Sequence, residues 1–153
     1  MFLIFALLVI FQVKHFLTDY PFQTPYMLGK FKGGKDWILP LTAHCGVHAL
    51  FTLGICAVIN YQLWWLALVD FALHFTMDRI KASPKLLGKY KTVTTAEYKD
   101  LIQIAAKPFV VAYMTQDEAK QRLKSNTYFW YCLGLDQGVH HLTHYLIIWA
   151  LVQ

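Results

Sequence analysis

The sequence predicts an all-α fold: an integral membrane four-helix bundle with one long cytoplasmic loop containing short amphipathic helices. Three observations predict it. The 153 residues are 57% apolar and only 15% charged, where a soluble domain carries about 25% charged residues. Four apolar segments, at about 2–20, 37–59, 63–80 and 128–152, alternate with polar stretches, and the longer ones suffice for a hydrocarbon core of about 30 Å. All seven histidines fall inside these segments or at their ends, where ionisable groups are costly and mark function. The chain reads as a single membrane domain, 1–153, with a cytoplasmic insertion at 81–127.

The first segment runs from Phe2 to Leu17, or to Tyr20 with its polar end. Pro21 ends it, because the residue before a proline is pushed out of the α region. Met1–Phe11 lacks the positive n-region and small-residue cleavage site of a signal peptide, and it leads directly into His15 and Asp19, so it reads as a mature helix. The loop that follows carries Lys30, Lys32 and Lys35 among Pro25, Gly29, Gly33 and Gly34. Segment two, Trp37–Ile59, opens on an interfacial Trp37 and has Pro40 in its first turn, where the missing N–H costs little. Asn60–Gln62 is short and uncharged, so segments two and three pair as an antiparallel hairpin. Segment three extends from Leu63 to about Ile80, with Trp64 and Trp65 at one interface and Arg79 and Lys81 at the other.

Lys81–Asn126 is the long hydrophilic region. Thr94 or Thr95 caps a helix through Ala106 with Tyr98, Leu101, Ile102 and Ala105 as its apolar face, and Pro108 stops it. Thr115 caps a second helix with Asp117 and Glu118 in its first turn. Two placements stay open for these helices: on the membrane surface or packed on the bundle. Segment four, Tyr128–Val152, begins with an aromatic belt from Tyr128 to Tyr131. Cys45, Cys56 and Cys132 are odd in number and lie in apolar segments, which argues against a disulfide framework. If the segments alternate, both basic loops share one side. The positive-inside rule places them in the cytoplasm and both termini outside.

The chemistry lies in pairs spaced four residues, about one helical turn: His15/Asp19, His44/His48, His74/Asp78 with Asp70 a turn earlier, and Asp136/His140 with His144 a turn later. Counted at 1.5 Å per residue, His15, Asp19, His74 and Asp78 fall within about 10 Å of the cytoplasmic boundary, and His44 and Asp136 at about 10–15 Å. His48 and His140 are deeper, so the pairs gather in the cytoplasmic half. Imidazole and carboxylate are the usual protein ligands of zinc, iron and manganese. The expected metal ligands are His15, Asp19, His44, His48, His74, Asp78, Asp136 and His140. Zinc is the first choice of divalent metal, ahead of manganese or iron. Eight ligands exceed what one tetrahedral zinc needs and leave room for two ions. Asp78 or Asp136 can act as catalytic base instead of ligand. Gln23, Asp70 and His144 stand behind the main set. His141 points away from His140 by about 100°. Lys30 and Arg79 read as flanking charges or phosphate contacts.

The pieces HFLTDYPFQ, HCGVH, HFTMDRIK and DQGVHHLTH resemble the motifs of a family of small bacterial and phage membrane proteins known only as a domain of unknown function. The resemblance covers nearly all of the chain except Gly88–Asn126. More distantly, the pattern is similar to LexA-regulated inner-membrane metal-dependent hydrolases. The resemblance implies a bacterial inner-membrane location and a hydrolase, with the eight ligands above as motif positions and Gln23 and Lys81 beside them.

The expected function is therefore a metal-dependent membrane hydrolase acting on a phosphorylated lipid or related amphiphile at the cytoplasmic leaflet, where basic loops attract anionic headgroups. Its expected partners are the bilayer and a lipid-like substrate. A homo-oligomer stays open, and no nucleic acid is expected. One alternative is a metal or proton carrier, or a non-catalytic membrane interaction protein with a structural metal site. Another is a di-iron oxidase or desaturase, since HCGVH and HHLTH resemble histidine boxes. Seven histidines are few for that chemistry, and the paired aspartates fit hydrolysis better. The almost wholly apolar outer half argues against a path through the membrane.

Overall fold

The computed structural model describes residues 1–106 and 114–153. Among them are five α-helices and no β-strand: α1 (Phe2–Asp19), α2 (Ile38–Ile59), α3 (Leu66–Ala82), α4 (Thr95–Ala106) and α5 (Gln116–Leu151). α1 stops two residues before Pro21. α2 ends where Asn60 turns extended and its side-chain oxygen accepts the Gln62 N–H, which starts the short turn into α3. α1 packs on α2 and α5, α2 on α3, and α3 on α5, which closes a ring of four helices.

The ring has two unlike ends. Leu7, Phe11, Cys56, Leu66, Ile147, Ile148 and Leu151 form a buried apolar core at one. Toward the other, the same helices turn Lys14, His15, His44, His48, Asp70, His74, Asp78, Asp136, His140 and His144 inward. The outside is apolar: Phe5, Val9, Phe16, Leu39, Leu50, Leu68, Leu142, Leu146 and Trp149 are all exposed. By length and composition α1 and α2 can each cross a membrane. α3 has 17 residues and carries Asp70, Asp78, Arg79 and Lys81, and α5 interrupts its apolar run with Asp136 and three histidines.

Two expectations for the hydrophilic region are corrected. The helix capped by Thr115 is not separate from segment four. α5 runs unbroken for 36 residues, about 54 Å, because nothing between Gln116 and Leu151 stops a helix: there is no proline, and an isolated Gly134 or Gly138 is tolerated. α4 begins at a Thr94–Glu97 cap, and it packs on the first turns of α5. Leu101, Ile104 and Ala119 form a second core there, with Val93, Ala105, Met114 and Leu123 against it. The buried stripe of α4 thus centres on Leu101 and Ile104, while Tyr98 and Ile102 are exposed. Gln116 Nε2 donates to the Ala105 carbonyl at 2.7 Å and satisfies one open end of α4. The expected stop at Pro108, like Lys107, lies outside the described residues.

One glycine positions part of the site. A Cβ on Gly29 would fall 2.8 Å from Pro40 Cγ. The turn Met27–Phe31 can therefore press onto the start of α2, and this closeness buries Lys30.

Candidate functional site

Each of the four ring helices lends one stripe. In α1, Lys14 and Thr18 are one turn apart, as are His15 and Asp19. α2 supplies His44, His48 and Thr52, α3 supplies Asp70, His74 and Asp78, and α5 supplies Asp136, His140 and His144. All but Asp19 are buried, and Asp19 is 19% exposed at its side chain.

The four carboxylates organise the rest. Asp70 Oδ2 accepts from Lys14 Nζ at 2.5 Å and from Thr52 Oγ1 at 2.6 Å, and its other oxygen faces His74 Nδ1 at 3.1 Å. Asp78 Oδ2 accepts from Lys30 Nζ at 2.8 Å, and its Oδ1 lies 3.3 Å from His140 Nε2. Asp136 Oδ2 accepts from Lys81 Nζ at 2.6 Å, and its Oδ1 lies 3.4 Å from the same His140 nitrogen. Three of the four thus hold a lysine on one oxygen and an imidazole on the other.

Asp19 differs. Its Oδ1 is 3.0 Å from His48 Nε2 and 3.4 Å from His44 Nε2, and its Oδ2 is 3.3 Å from His15 Nε2. No lysine is paired with it among the described residues. The corner it forms meets the Asp78 group through His44, whose Nε2 is also 3.2 Å from Asp78 Oδ2. Imidazoles connect the parts across the middle: the His74 ring is 4.0 Å from the His48 ring and 4.1 Å from the His140 ring.

The structure brings all eight expected ligands into one cluster. It adds Asp70 and His144, ranked below them from the sequence, as fully buried members. Lys30 and Lys81 enter as partners of carboxylates. His141 stays half-buried at the edge, with Nδ1 3.2 Å from Gln12 Nε2. Gln23 lies half-buried in the turns beyond α1. Arg79 packs its guanidinium 3.8 Å over the Trp37 ring. Lys14 is absent from the residues that the sequence pattern points to. Its signal is a lone cation inside an apolar helical run, which is as costly as the histidines beside it.

A family model described as a protein of unknown function (DUF3307) matches residues 7–153. The chain belongs to this family. No curated protein and no solved structure matches the chain. The family match reaches into all four ring helices and covers every residue of the cluster, and its description assigns no activity.

The donor set at Asp19 fits a divalent metal on three counts. Ligand atoms bound to one tetrahedral zinc at about 2.0–2.1 Å stand about 3.3 Å from one another. His48 Nε2 and His15 Nε2 lie 3.0 and 3.3 Å from Asp19, and donor atoms of these three residues all lie within 4.8 Å of one another, with Gln137 Oε1 also 3.0 Å from His15 Nε2. His44 Nε2 is buried without a hydrogen bond. The third count is tautomeric. Thr18 Oγ1 lies 2.9 Å from the Lys14 carbonyl and 3.1 Å from the His15 carbonyl, which engage its one proton. Its oxygen then accepts from His48 Nδ1–H at 3.2 Å, leaving a lone pair of His48 Nε2 aimed at Asp19 Oδ1. Two acceptors at 3.0 Å need positive charge between or beside them: a proton on Nε2, or a metal bound to both. Elsewhere in the cluster a lysine already supplies that charge.

Proposed function

We propose that this family member is a metal-dependent membrane hydrolase acting on a phosphorylated lipid or related amphiphile at the cytoplasmic leaflet of the bacterial inner membrane. The observation that carries the reading is the buried cluster itself, ten histidines and aspartates inside a ring whose outer surface is apolar. That inversion supports four spans. α3 and α5 turn their ionisable groups inward, toward partners, which is the arrangement intramembrane charges require. The basic loops then lie in the cytoplasm and both termini outside.

The metal would be held by His15, Asp19 and His48, with His44 3.4 Å from Asp19 beside them, and with zinc as first choice and manganese or iron behind it. Bound there, it supplies charge for a phosphoryl oxygen and an acidified water. Asp78, Asp136 and His140 turn donor atoms to within 4.8 Å of one another, and they are assigned the proton. Either carboxylate Oδ1 takes it, and His140 Nε2, 3.3 and 3.4 Å away, carries it toward the leaving oxygen. Lys30 and Lys81 face these carboxylates at 2.8 and 2.6 Å and offer ammonium charge to a phosphate. His74 joins the two groups by ring contact.

The test is phosphate release from phosphatidic acid and polyprenyl phosphates in detergent micelles by metal-loaded protein. Turnover is expected, with the double variant Asp78→Asn/Asp136→Asn slowed about 100-fold or more while metal content is kept. No release from any of these lipids, by protein with a full equivalent of metal, overturns the hydrolase reading. One observation favours a second reading: the His48–His74–His140 contacts could pass protons. The apolar core around Leu7, Phe11 and Ile147 closes the far end of that route.

A further inference from the structure

A groove of about 380 Å³ opens beside the cluster, within the size range of small-ligand sites. Phe31, Leu87, Phe129 and Leu133 give it apolar walls, and Lys81 and Lys91 stand among them. We propose that this groove binds the substrate, and that the substrate is a phosphate carried on a hydrocarbon chain, with the phosphate at Lys81 and Lys91 and the chain along the apolar walls. The proposal rests on the hydrolase reading for what happens next, and on the groove alone for what binds.

Charge complementarity selects the occupant. No acidic side chain is among the groove's lining residues. Lys91 is exposed, and the Lys81 side chain is 26% exposed. Lys81 has two roles: it lines the groove, and its ammonium touches Asp136 Oδ2 at 2.6 Å. A single ion pair therefore separates the groove from the proton-handling carboxylates. A phosphate drawn to Lys81 competes with Asp136 for that ammonium.

The walls are fixed. Gly88 lies so close to the end of α3 that a Cβ would fall 2.6 Å from the Ala82 carbonyl oxygen. The Lys91 N–H donates to Ser125 Oγ at 3.1 Å and ties the opposite wall to α5. A larger groove between α1 and α2, lined by Leu7, Leu50, Phe51 and Val58 among others, offers nothing to hold a headgroup.

Cys132 makes the proposal testable without turnover. It lines the groove and is half-buried, while Cys45 and Cys56 are fully buried. Maleimide labelling of Cys132 is followed in metal-free protein in dodecyl maltoside, with added dodecyl phosphate, dodecanol or inorganic phosphate. Dodecyl phosphate is expected to slow labelling at least tenfold, and the other two to leave it unchanged. Lys91→Gln, which breaks no ion pair among the described residues, is expected to lose most of the protection. Lys81→Gln is expected to lose it as well, in protein checked for native near-UV circular dichroism. No protection by dodecyl phosphate overturns the proposal, as does equal protection by dodecanol or by inorganic phosphate, or full protection kept in Lys91→Gln. Because no hydrolysis is involved, failure of the hydrolase reading leaves this result standing. Lost protection beside intact turnover moves the substrate elsewhere.

Discussion

The two ends of the helix ring are built by the same four helices under opposite rules. Along α1, Leu7 and Phe11 face the apolar core, and one turn later Lys14, His15 and Thr18 face the polar cluster. The boundary is sharp: the Phe11 ring lies 5.1 Å from the His144 ring, and Lys14 Nζ lies 5.6 Å over Phe11. The apolar end is held by packing, where volume-conserving swaps are tolerated. The polar end is held by charge pairs, where removing one partner strands the other in low dielectric. A chain seeking only stability would continue the first rule, since apolar replacement of buried ion pairs is often neutral or stabilising. Stability alone therefore does not account for the polar end.

The largest expected break comes from the polar end. Lys14→Met should destabilise the protein by about 3–5 kcal/mol, because it leaves Asp70 buried and unpaired. Adding Asp70→Asn should restore more than half of that. Unfolding of Lys14→Met, Asp70→Asn and the double variant in detergent measures both, and additive losses would contradict the pairing. At the apolar end, Leu7→Ala should cost about 2 kcal/mol, near the low end of such truncations. Metal content should not change.

Smaller effects belong to the α4–α5 extension, which lies outside both ends. Thr115→Ala removes half of a capping box with Glu118 and should cost about 1 kcal/mol. The loss should appear as faster amide exchange in α4 and the first turns of α5, with the ring unchanged. The weakest effect is acidic. Glu97 and Glu118 are held below the ordinary glutamate range first by the backbone N–H groups of Thr94 and Thr115, and then by their hydroxyls. Both caps are therefore complete above the ordinary glutamate pKa and are lost as the pH falls through the lowered values. Exchange in α4 should rise on acidification before that of the ring, and Glu118→Gln should reduce the rise.

Helical spacing made much of this legible. His44 and His48, or Asp136 and His140, declare a shared inner face, because an apolar helix tolerates a polar stripe only where that stripe turns inward to partners. The pairing of lysines with carboxylates was not legible. Lys14 and Asp70 are 56 residues apart, Lys30 and Asp78 48, and Lys81 and Asp136 55, and no local pattern joins residues across three different helix and loop pairs. Lys30 and Lys81 resemble flanking charges in sequence because their long side chains start outside the ring and reach in. The unbroken α5 was hidden by composition: a polar first third and an apolar remainder read as two elements although no residue between them ends a helix. On α4, Ile104 replaced Tyr98 and Ile102 in the buried stripe because the partner is the narrow Ala119 face of α5, which only the packing reveals.

The central claim is that the lysine-free corner at Asp19 is a metal site. It is tested most directly by the metal content of detergent-purified protein, never exposed to chelator, beside Asp19→Asn and Lys91→Gln. About one equivalent of a divalent transition metal is expected in the native protein and in Lys91→Gln, with the metal largely lost in Asp19→Asn while its fold is kept. No metal in folded native protein, or full metal retained in Asp19→Asn, would contradict the account and leave the corner to a protonated His48.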